Sequence, residues 1–343
     1  MHKIGIIGAT GYTGSELVRI LHSHPEVEIS IITRETYAGQ KFSDIHPQFK
    51  DAVDITLKKA EEIESVNPEL VFLALPHGVS MEYVKNLAES NIKIVDLSGD
   101  FRLPTKGLYE SWYNKQHTFP EGIEYAVYGL PELFREEIKK ARLIANPGCF
   151  PTGAIAAAAP LLKEELVDAR RLIFDSKTGV TGAGVKPKLV THFSNVNENF
   201  KAYGVKTHRH TIEIQETLSK YGGQDATIQF TPHLLPVDRG ILTSVYAIPR
   251  GRITTDELVR VYQEYYGSEP FIRLLDADPE IKNIRGTNYI DVYPVYDERT
   301  DTIMVFTAID NLVRGAAGQA VQNMNLMLGI KEFTALNMIP LRP

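Results

Sequence analysis

Cys149 is the single cysteine of this 343-residue chain, and its surroundings suit a nucleophile. The segment Asn146-Pro147-Gly148-Cys149-Phe150-Pro151-Thr152-Gly153 joins a short apolar run, Arg142–Ala145, to a helical pattern, Ala154–Leu162. Pro151 is suited to a first helical turn. Cys149 therefore falls at a helix start, where the dipole favours thiolate over thiol. A lone cysteine is more often a small buried hydrophobe, but the flanking Pro-Gly and Pro-Thr-Gly demand a sharp, defined turn. An acid–base partner is available in His208-Arg209-His210-Thr211-Ile212-Glu213-Ile214. His210 and Glu213 share a face if the segment is helical, so the carboxylate can orient the imidazole and support it as acid or base. His208 has Thr211 and Ile212 at those offsets instead. Histidines two apart diverge around a helix, and no Cys/His cluster or HExxH accompanies them, so no metal is expected.

A second constellation is Gly8-Ala9-Thr10-Gly11-Tyr12-Thr13-Gly14. It follows a predicted strand, Lys3–Ile7, and opens a predicted helix, Thr13–His22, the setting a dinucleotide fingerprint requires. The spacing is GxxGxxG. Glycines let the backbone approach a pyrophosphate, and the free N–H groups of the helix start favour the anion. The next predicted strand, Val27–Thr33, ends in Thr33-Arg34. A hydroxyl and a guanidinium there suit the 2′-phosphate of NADP(H), where NAD sites usually carry a carboxylate. The adjacent Glu35 offers the alternative ribose contact, and a solvated surface Arg34 remains the bland alternative.

These residues need a scaffold, and the pattern supplies one. Short Val/Ile/Leu runs at 3–7, 27–33, 70–75, 92–97 and 142–145 alternate with helical stretches, as βαβ units do. Such continuous apolar runs suit strands covered on both faces. From 172 onward, β-like runs at 172–176, 227–232, 241–248, 288–296 and 302–309 follow one another with few helices between. The expectation is an α/β protein: a Rossmann-type parallel-sheet domain plus an α+β substrate domain with a mixed, largely antiparallel sheet. A helical, small-residue-rich tail spans 313–328. Apolar residues make up 43% and charged residues 23%, which excludes disorder and coiled coil. With 37 Lys plus Arg against 43 Asp plus Glu the net charge is −6, a poor match to nucleic acid or a membrane surface. One cysteine permits no internal disulfide, and no run reaches a membrane span or a signal-peptide core, so a cytoplasmic protein is expected.

Several segments together resemble N-acetyl-gamma-glutamyl-phosphate reductases. They are the glycine loop, Asp96-Leu-Ser-Gly-Asp-Phe-Arg-Leu103, Asn146-Pro-Gly-Cys-Phe-Pro-Thr152, Thr178-Gly-Val-Thr-Gly-Ala-Gly184, His208-Arg-His210 and Asn311-Leu-Val-Arg-Gly-Ala-Ala-Gly-Gln-Ala320. The order is right along nearly the whole chain. The glycine loop and the Gly-Ala-Ala stretch are shared with aspartate-semialdehyde dehydrogenases. Ile212 stands where the family often has proline. The resemblance implies NADPH-dependent reduction of a small acyl phosphate to an aldehyde in arginine biosynthesis. It implies Cys149 as nucleophile, with His210 and Glu213 for proton transfer. Cofactor contacts would come from Gly8, Thr10, Gly11, Tyr12, Thr13, Gly14, Thr33, Arg34, Gly182, Asn311 and Gly315. Substrate contacts would come from Arg102, Asn146, Tyr203 and His208, with a salt bridge to Asp96 or Asp100 as the structural alternative for Arg102. It also implies a homo-oligomer, dimer or tetramer. The expected domains are 1–148 with 313–343, and 149–312. The rivals are an aspartate-semialdehyde dehydrogenase, a reductase of a carrier-borne glutamyl phosphate and, in another class, a non-catalytic NADP sensor, which has no need of Cys149.

Overall fold

The computed structural model describes residues 1–342 and divides into two units, Met1–Pro147 with Ala316–Asn337, and Gly148–Gly315 with Met338 onward.

The first unit is a parallel six-stranded sheet in the order β2-β1-β3-β4-β6-β5. Its strands are β1 (His2–Ile7), β2 (Val27–Thr33), β3 (Leu70–Leu73), β4 (Lys93–Asp96), β5 (Ala126–Tyr128) and β6 (Leu143–Ala145). Every residue of β3 and β6 is buried, which is why these strands are unbroken apolar runs. The strands expected at 70–75 and 92–97 are shorter, because their last residues turn into the loops at the sheet's carboxyl edge. The Tyr- and Pro-rich stretch after Arg102 supplies the helix Lys106–Tyr113 and the edge strand β5, which is too short to carry a periodic signal. The helix Gly318–Leu328 returns to this unit, buried from Gly318 to Met327. The tail expected to be one helix from 313 begins instead with a π turn, Val313–Ala317.

The second unit is a seven-stranded mixed sheet, β11-β12-β13-β10-β7-β9-β8. Its strands are β7 (Val167–Thr178), β8 (Lys201–Ala202), β9 (Ile228–Leu234), β10 (Ile241–Pro249), β11 (Ile272–Leu274), β12 (Ile290–Asp297) and β13 (Thr302–Ile309). β7–β9 and β11–β12 pair parallel and the other four pairings are antiparallel. One face packs on helices and the other meets solvent, hence the alternation of buried and exposed residues along β7. The helix Cys149–Lys163 is buried on all sides from Phe150 to Leu162 and is correspondingly apolar all round. Pro160 inside it has no N–H for the Ala156 carbonyl four residues back. The Tyr266 hydroxyl donates to that carbonyl at 2.8 Å instead.

Candidate active site

In the first unit, the Gly8–Gly14 turn leaves β1 and enters the helix Tyr12–His22. Gly8 has φ +90°, and a Cβ there would lie 2.4 Å from the Ala74 carbonyl oxygen, so only glycine fits. A Cβ at Gly14 would collide with the Gly8 carbonyl. The amides of Gly8 and Ala9 donate to the Thr33 carbonyl at 3.1 and 3.4 Å, pinning the turn to the end of β2. Gly11 caps the helix with no side-chain bond, and its first turn carries no acidic residue. A Cβ on Gly11 would meet only one atom within 4 Å. The turn thus presents free N–H groups and open space, as a pyrophosphate requires. Thr10 is buried, Thr13 half-buried and Tyr12 exposed beside it. At the end of β2, Arg34 Nε is buried and makes no hydrogen bond within the protein. Glu35 is already engaged, accepting from the Ala60 amide at 3.0 Å. These residues fit the phosphates of a dinucleotide.

Arg102 and Asn146 also meet in this unit. Arg102 Nε donates to the Asn146 carbonyl at 2.7 Å and Nη2 to the Leu97 carbonyl at 2.9 Å. The Asn146 side chain donates to the Ala316 carbonyl at 3.3 Å and accepts from Asn323 Nδ2 at 3.0 Å. The neighbouring carboxylates hold the turn that carries Arg102. Asp96 accepts from the amide and hydroxyl of Ser98. Asp100 accepts from the Gly78 amide and from the Tyr109 hydroxyl. Burial, reinforced by the Asp100 charge, pushes the Asp96 carboxyl up to about 6.

In the second unit, Cys149 is the first residue of its helix, with Gly148 as cap. The Gly148 peptide is held on both sides. Its N–H donates to Glu213 Oε1 at 2.8 Å, and its carbonyl accepts from the amide and hydroxyl of Thr152. His210 opens the helix His210–Gly222. Its imidazole lies on Gly148, where a Cβ would fall 2.4 Å from His210 Nε2. The His210 amide donates to His208 Nδ1 at 3.2 Å. The His208 ring sits edge-on to Phe150, Tyr203 and Phe230, each with centroids 5.5 Å away. That burial, with the Arg209 charge beside it, lowers His208 to about 4, so it is neutral. Burial and then the Cys149 charge raise the Tyr203 hydroxyl, so it stays protonated near the sulfur.

Gly315 closes the other side. A Cβ there would lie 2.8 Å from Cys149 Cβ and 3.1 Å from its Cα. The π turn that carries Gly315 is fixed by Asp310, a fully buried residue that sequence reasoning missed. It accepts from the amides of Leu312, Val313 and Gly286. Asn311 donates to Thr181 Oγ1 and accepts from the Gly240 amide, both at 2.9 Å, and so holds the loop containing Gly182. Cys149, His210, Glu213, Tyr203, His208 and Gly315 thus converge, with Gly182 and Asn311 in a neighbouring cluster. Asp310 binds two amides just after it and one 24 residues before it, and the Glu213–Gly148 bond spans 65 residues. The acidic residue just before the Asn311 motif was the one visible signal. Among the described residues no group of three or more His, Cys, Asp or Glu is arranged to hold a metal, and no helix is long and apolar enough to cross a membrane.

Residues 3–141 match the model of the semialdehyde dehydrogenase NAD binding domain, and residues 149–311 that of the semialdehyde dehydrogenase dimerisation domain. Among solved structures, aspartate semialdehyde dehydrogenase II from Vibrio cholerae superimposes with a TM-score of 0.75 at 16% identity, covering 96% of this chain and 98% of that one. The Candida albicans aspartate semialdehyde dehydrogenase with NADP gives 0.72 at 17% identity, with the same coverage. At that identity the likeness is one of fold. Three curated relatives are closer in sequence, all named N-acetyl-gamma-glutamyl-phosphate reductase. The Pelotomaculum thermopropionicum protein is 50% identical over 97% of both chains. Those of Methanocaldococcus jannaschii and Desulforamulus reducens are 47% and 46% identical over 100% of both. With the fold of the semialdehyde dehydrogenases and this identity along its whole length, the chain belongs to the N-acetyl-gamma-glutamyl-phosphate reductase family.

Proposed function

We propose that the chain reduces N-acetyl-gamma-glutamyl phosphate to N-acetylglutamate 5-semialdehyde and phosphate, with NADPH as reductant, as a step of arginine biosynthesis. One observation carries the reading: a lone cysteine at a helix start, its preceding peptide gripped by Glu213 and overlaid by His210.

The Cys149 thiolate attacks the acyl carbonyl. A C–S bond forms, the C–O bond to phosphate breaks, and phosphate leaves, giving a thioester on Cys149. A reduced nicotinamide, when bound, would supply hydride to the thioester carbon. The C–S bond then breaks, the thiolate is regenerated and the aldehyde departs. His210 takes the thiol proton and moves protons at the carbonyl oxygen. Glu213 holds the Gly148 N–H, one residue before Cys149, in register. The Tyr203 hydroxyl, protonated throughout, offers a hydrogen bond near the sulfur. Arg102 is assigned to the substrate's carboxylate or phosphate, groups that a guanidinium binds in bidentate fashion. The Gly8–Gly14 turn would hold the pyrophosphate. Arg34 would take the 2′-phosphate, a reading supported by its buried Nε and by the engagement of Glu35. The match to a dimerisation domain supports a homo-oligomer.

The test runs the reaction backwards. N-acetylglutamate semialdehyde, phosphate and NADP should yield NADPH, and Cys149→Ser should abolish it. Aspartate semialdehyde in parallel should react far more slowly. A faster reaction with aspartate semialdehyde would assign the chain to the other substrate.

A further inference from the structure

Asp310 stands directly after β13 and is fully buried, and backbone amides converge on it. Its Oδ1 accepts from Leu312 at 2.8 Å and from Val313 at 3.0 Å, and its Oδ2 from Gly286 at 2.7 Å. Its own carbonyl accepts from the Gly315 amide at 2.9 Å. That bond reaches five residues along the chain where an α-helix reaches four, and it defines the π turn Val313–Ala317. In the α register the Gly315 amide would turn to the Asn311 carbonyl, and the residue facing Cys149 would swing away by about 100°. A neighbour with a Cβ would take its place. The fit leaves no room for one, since a Cβ on Gly315 itself would already lie 3.1 Å from Cys149 Cα.

A second set of contacts reaches the same carboxylate from residues 237–240. Arg239 Nη1 lies 3.6 Å from Asp310 Oδ2. Around Arg239, the carbonyls of Val237, Asp238 and Gly240 accept the amides of Val180, Thr181 and Gly179. The Gly240 amide donates to Asn311 Oδ1 at 2.9 Å. A Cβ at Gly179 would fall 2.6 Å from the Asp238 carbonyl oxygen, so the two segments lie in direct contact. The loop that carries Gly182 and the π turn that carries Gly315 therefore meet at Asp310.

We propose that Asp310 is a positioning residue for Cys149: it holds the chain in the π register that turns Gly315 toward the cysteine, and through Arg239 it ties that turn to the Gly179–Thr181 loop. This rests on Cys149 being the nucleophile, as proposed above. Asp310 touches no reacting atom; it acts through Gly315. A buried carboxylate is costly unless it is paired and hydrogen-bonded. For stability alone, a well-packed apolar residue of similar size often serves as well. What the carboxylate adds is a defined geometry, with one oxygen on the turn and the other on Gly286 and Arg239.

The experiment uses the full chain with Asp310→Asn, with Gly315→Ala and with both. Asparagine keeps an oxygen for Leu312 and Val313 but turns an NH2 group on the Gly286 amide and Arg239. Asp310→Asn should alkylate with iodoacetamide more slowly than the parent, well below its melting temperature. Its kcat for the acyl phosphate should fall roughly tenfold or more, as misplaced catalytic groups cost, with KM moving less. The double variant is decisive. Once the π register is lost Gly315 no longer faces Cys149, so adding alanine there should slow alkylation less than it does in the parent. The difference should be about twofold or more, as for residues coupled through contact. Parental alkylation in Asp310→Asn, or two losses that simply multiply, would reduce Asp310 to a stability role and overturn the proposal. If Asp310→Asn does not fold, Arg239→Leu replaces it, since that side chain is 25% exposed and the amide bonds to Asp310 stay intact. The same coupling to Gly315→Ala is expected, and its absence overturns the proposal. If the parent fails to reduce the acyl phosphate, the reaction assignment falls, while alkylation still decides on Asp310.

Discussion

Glu213 accepts the backbone N–H of Gly148 at 2.8 Å, tying the helix that begins at His210 to the peptide just before Cys149. Glu213 is only 1% exposed, and that bond fixes its carboxylate on the Gly148 amide. The thiol and the imidazole are therefore held in register by one residue acting on the backbone of the first and the helix of the second.

The first prediction follows. Glu213→Ala strands the Gly148 N–H, which costs about 1–3 kcal/mol of stability. Glu213→Gln keeps an acceptor oxygen and should recover most of it. Turnover should follow the same order, with KM for the acyl phosphate moving less than kcat. Melting curves and steady-state rates check this; equal losses in Ala and Gln would mean that the negative charge, not the bond to Gly148, is what matters.

Gly315 tests the other wall. Alanine there puts a methyl 2.8 Å from Cys149 Cβ, and the obstructing atoms belong to the cysteine's own Cα–Cβ unit. Overpacking of this kind costs about 1–3 kcal/mol. Gly315→Ala should melt lower and alkylate with iodoacetamide more slowly than the parent. Parental alkylation would show that the π turn slides aside without disturbing the thiol.

Arg34→Leu should weaken NADPH much more than NADH. A lost charge-assisted hydrogen bond is worth about 1.5–3 kcal/mol, so the preference should fall roughly tenfold or more. Dissociation constants for both nucleotides decide. Equal weakening of the two would reduce Arg34 to a structural residue and return the ribose to Glu35.

The parts of this arrangement that the sequence announces are those written in neighbouring residues. Gly148 and Pro151 flank Cys149 closely enough to mark a helix start, and Gly8 and Gly14 mark a tight turn after an apolar strand. The alternation of apolar runs separates the parallel sheet from the mixed one. The contacts that position these groups span the chain instead. Glu213 lies 65 residues from Gly148, and Asn146 is held by Asn323, 177 residues away. Glu213 and His210 lie on one helix, as their spacing predicts, yet that spacing gives no hint that Glu213 binds the Gly148 amide. Strand β5, at three residues, completes barely one alternation.

The last prediction separates His208 from His210. The His208 Nδ1 accepts the amide of His210, so His208 sets where the His210 helix begins, and its ring must be neutral to do so. His208 is lowered to about 4 from an ordinary 6.5 by burial, with the Arg209 charge adding to the effect. The unfolded chain therefore takes up this proton first. The stability from keeping His208 neutral is complete above pH 6.5 and is lost as pH falls from 6.5 toward 4. A shift of this size corresponds to about 3 kcal/mol over that window. His208→Asn keeps an acceptor for the His210 amide but cannot protonate. It should flatten the acid side of the stability profile between pH 6.5 and 4, and cost turnover only modestly. His210→Asn should leave that profile alone, yet cut turnover by roughly 10²–10⁴ and remove one limb of its pH dependence. Melting temperature and kcat, each measured across pH for both variants, give four curves. If His208→Asn carries the larger loss of turnover while His210→Asn keeps the parental pH limb, the proton-transfer role belongs to His208 and the positioning role to His210.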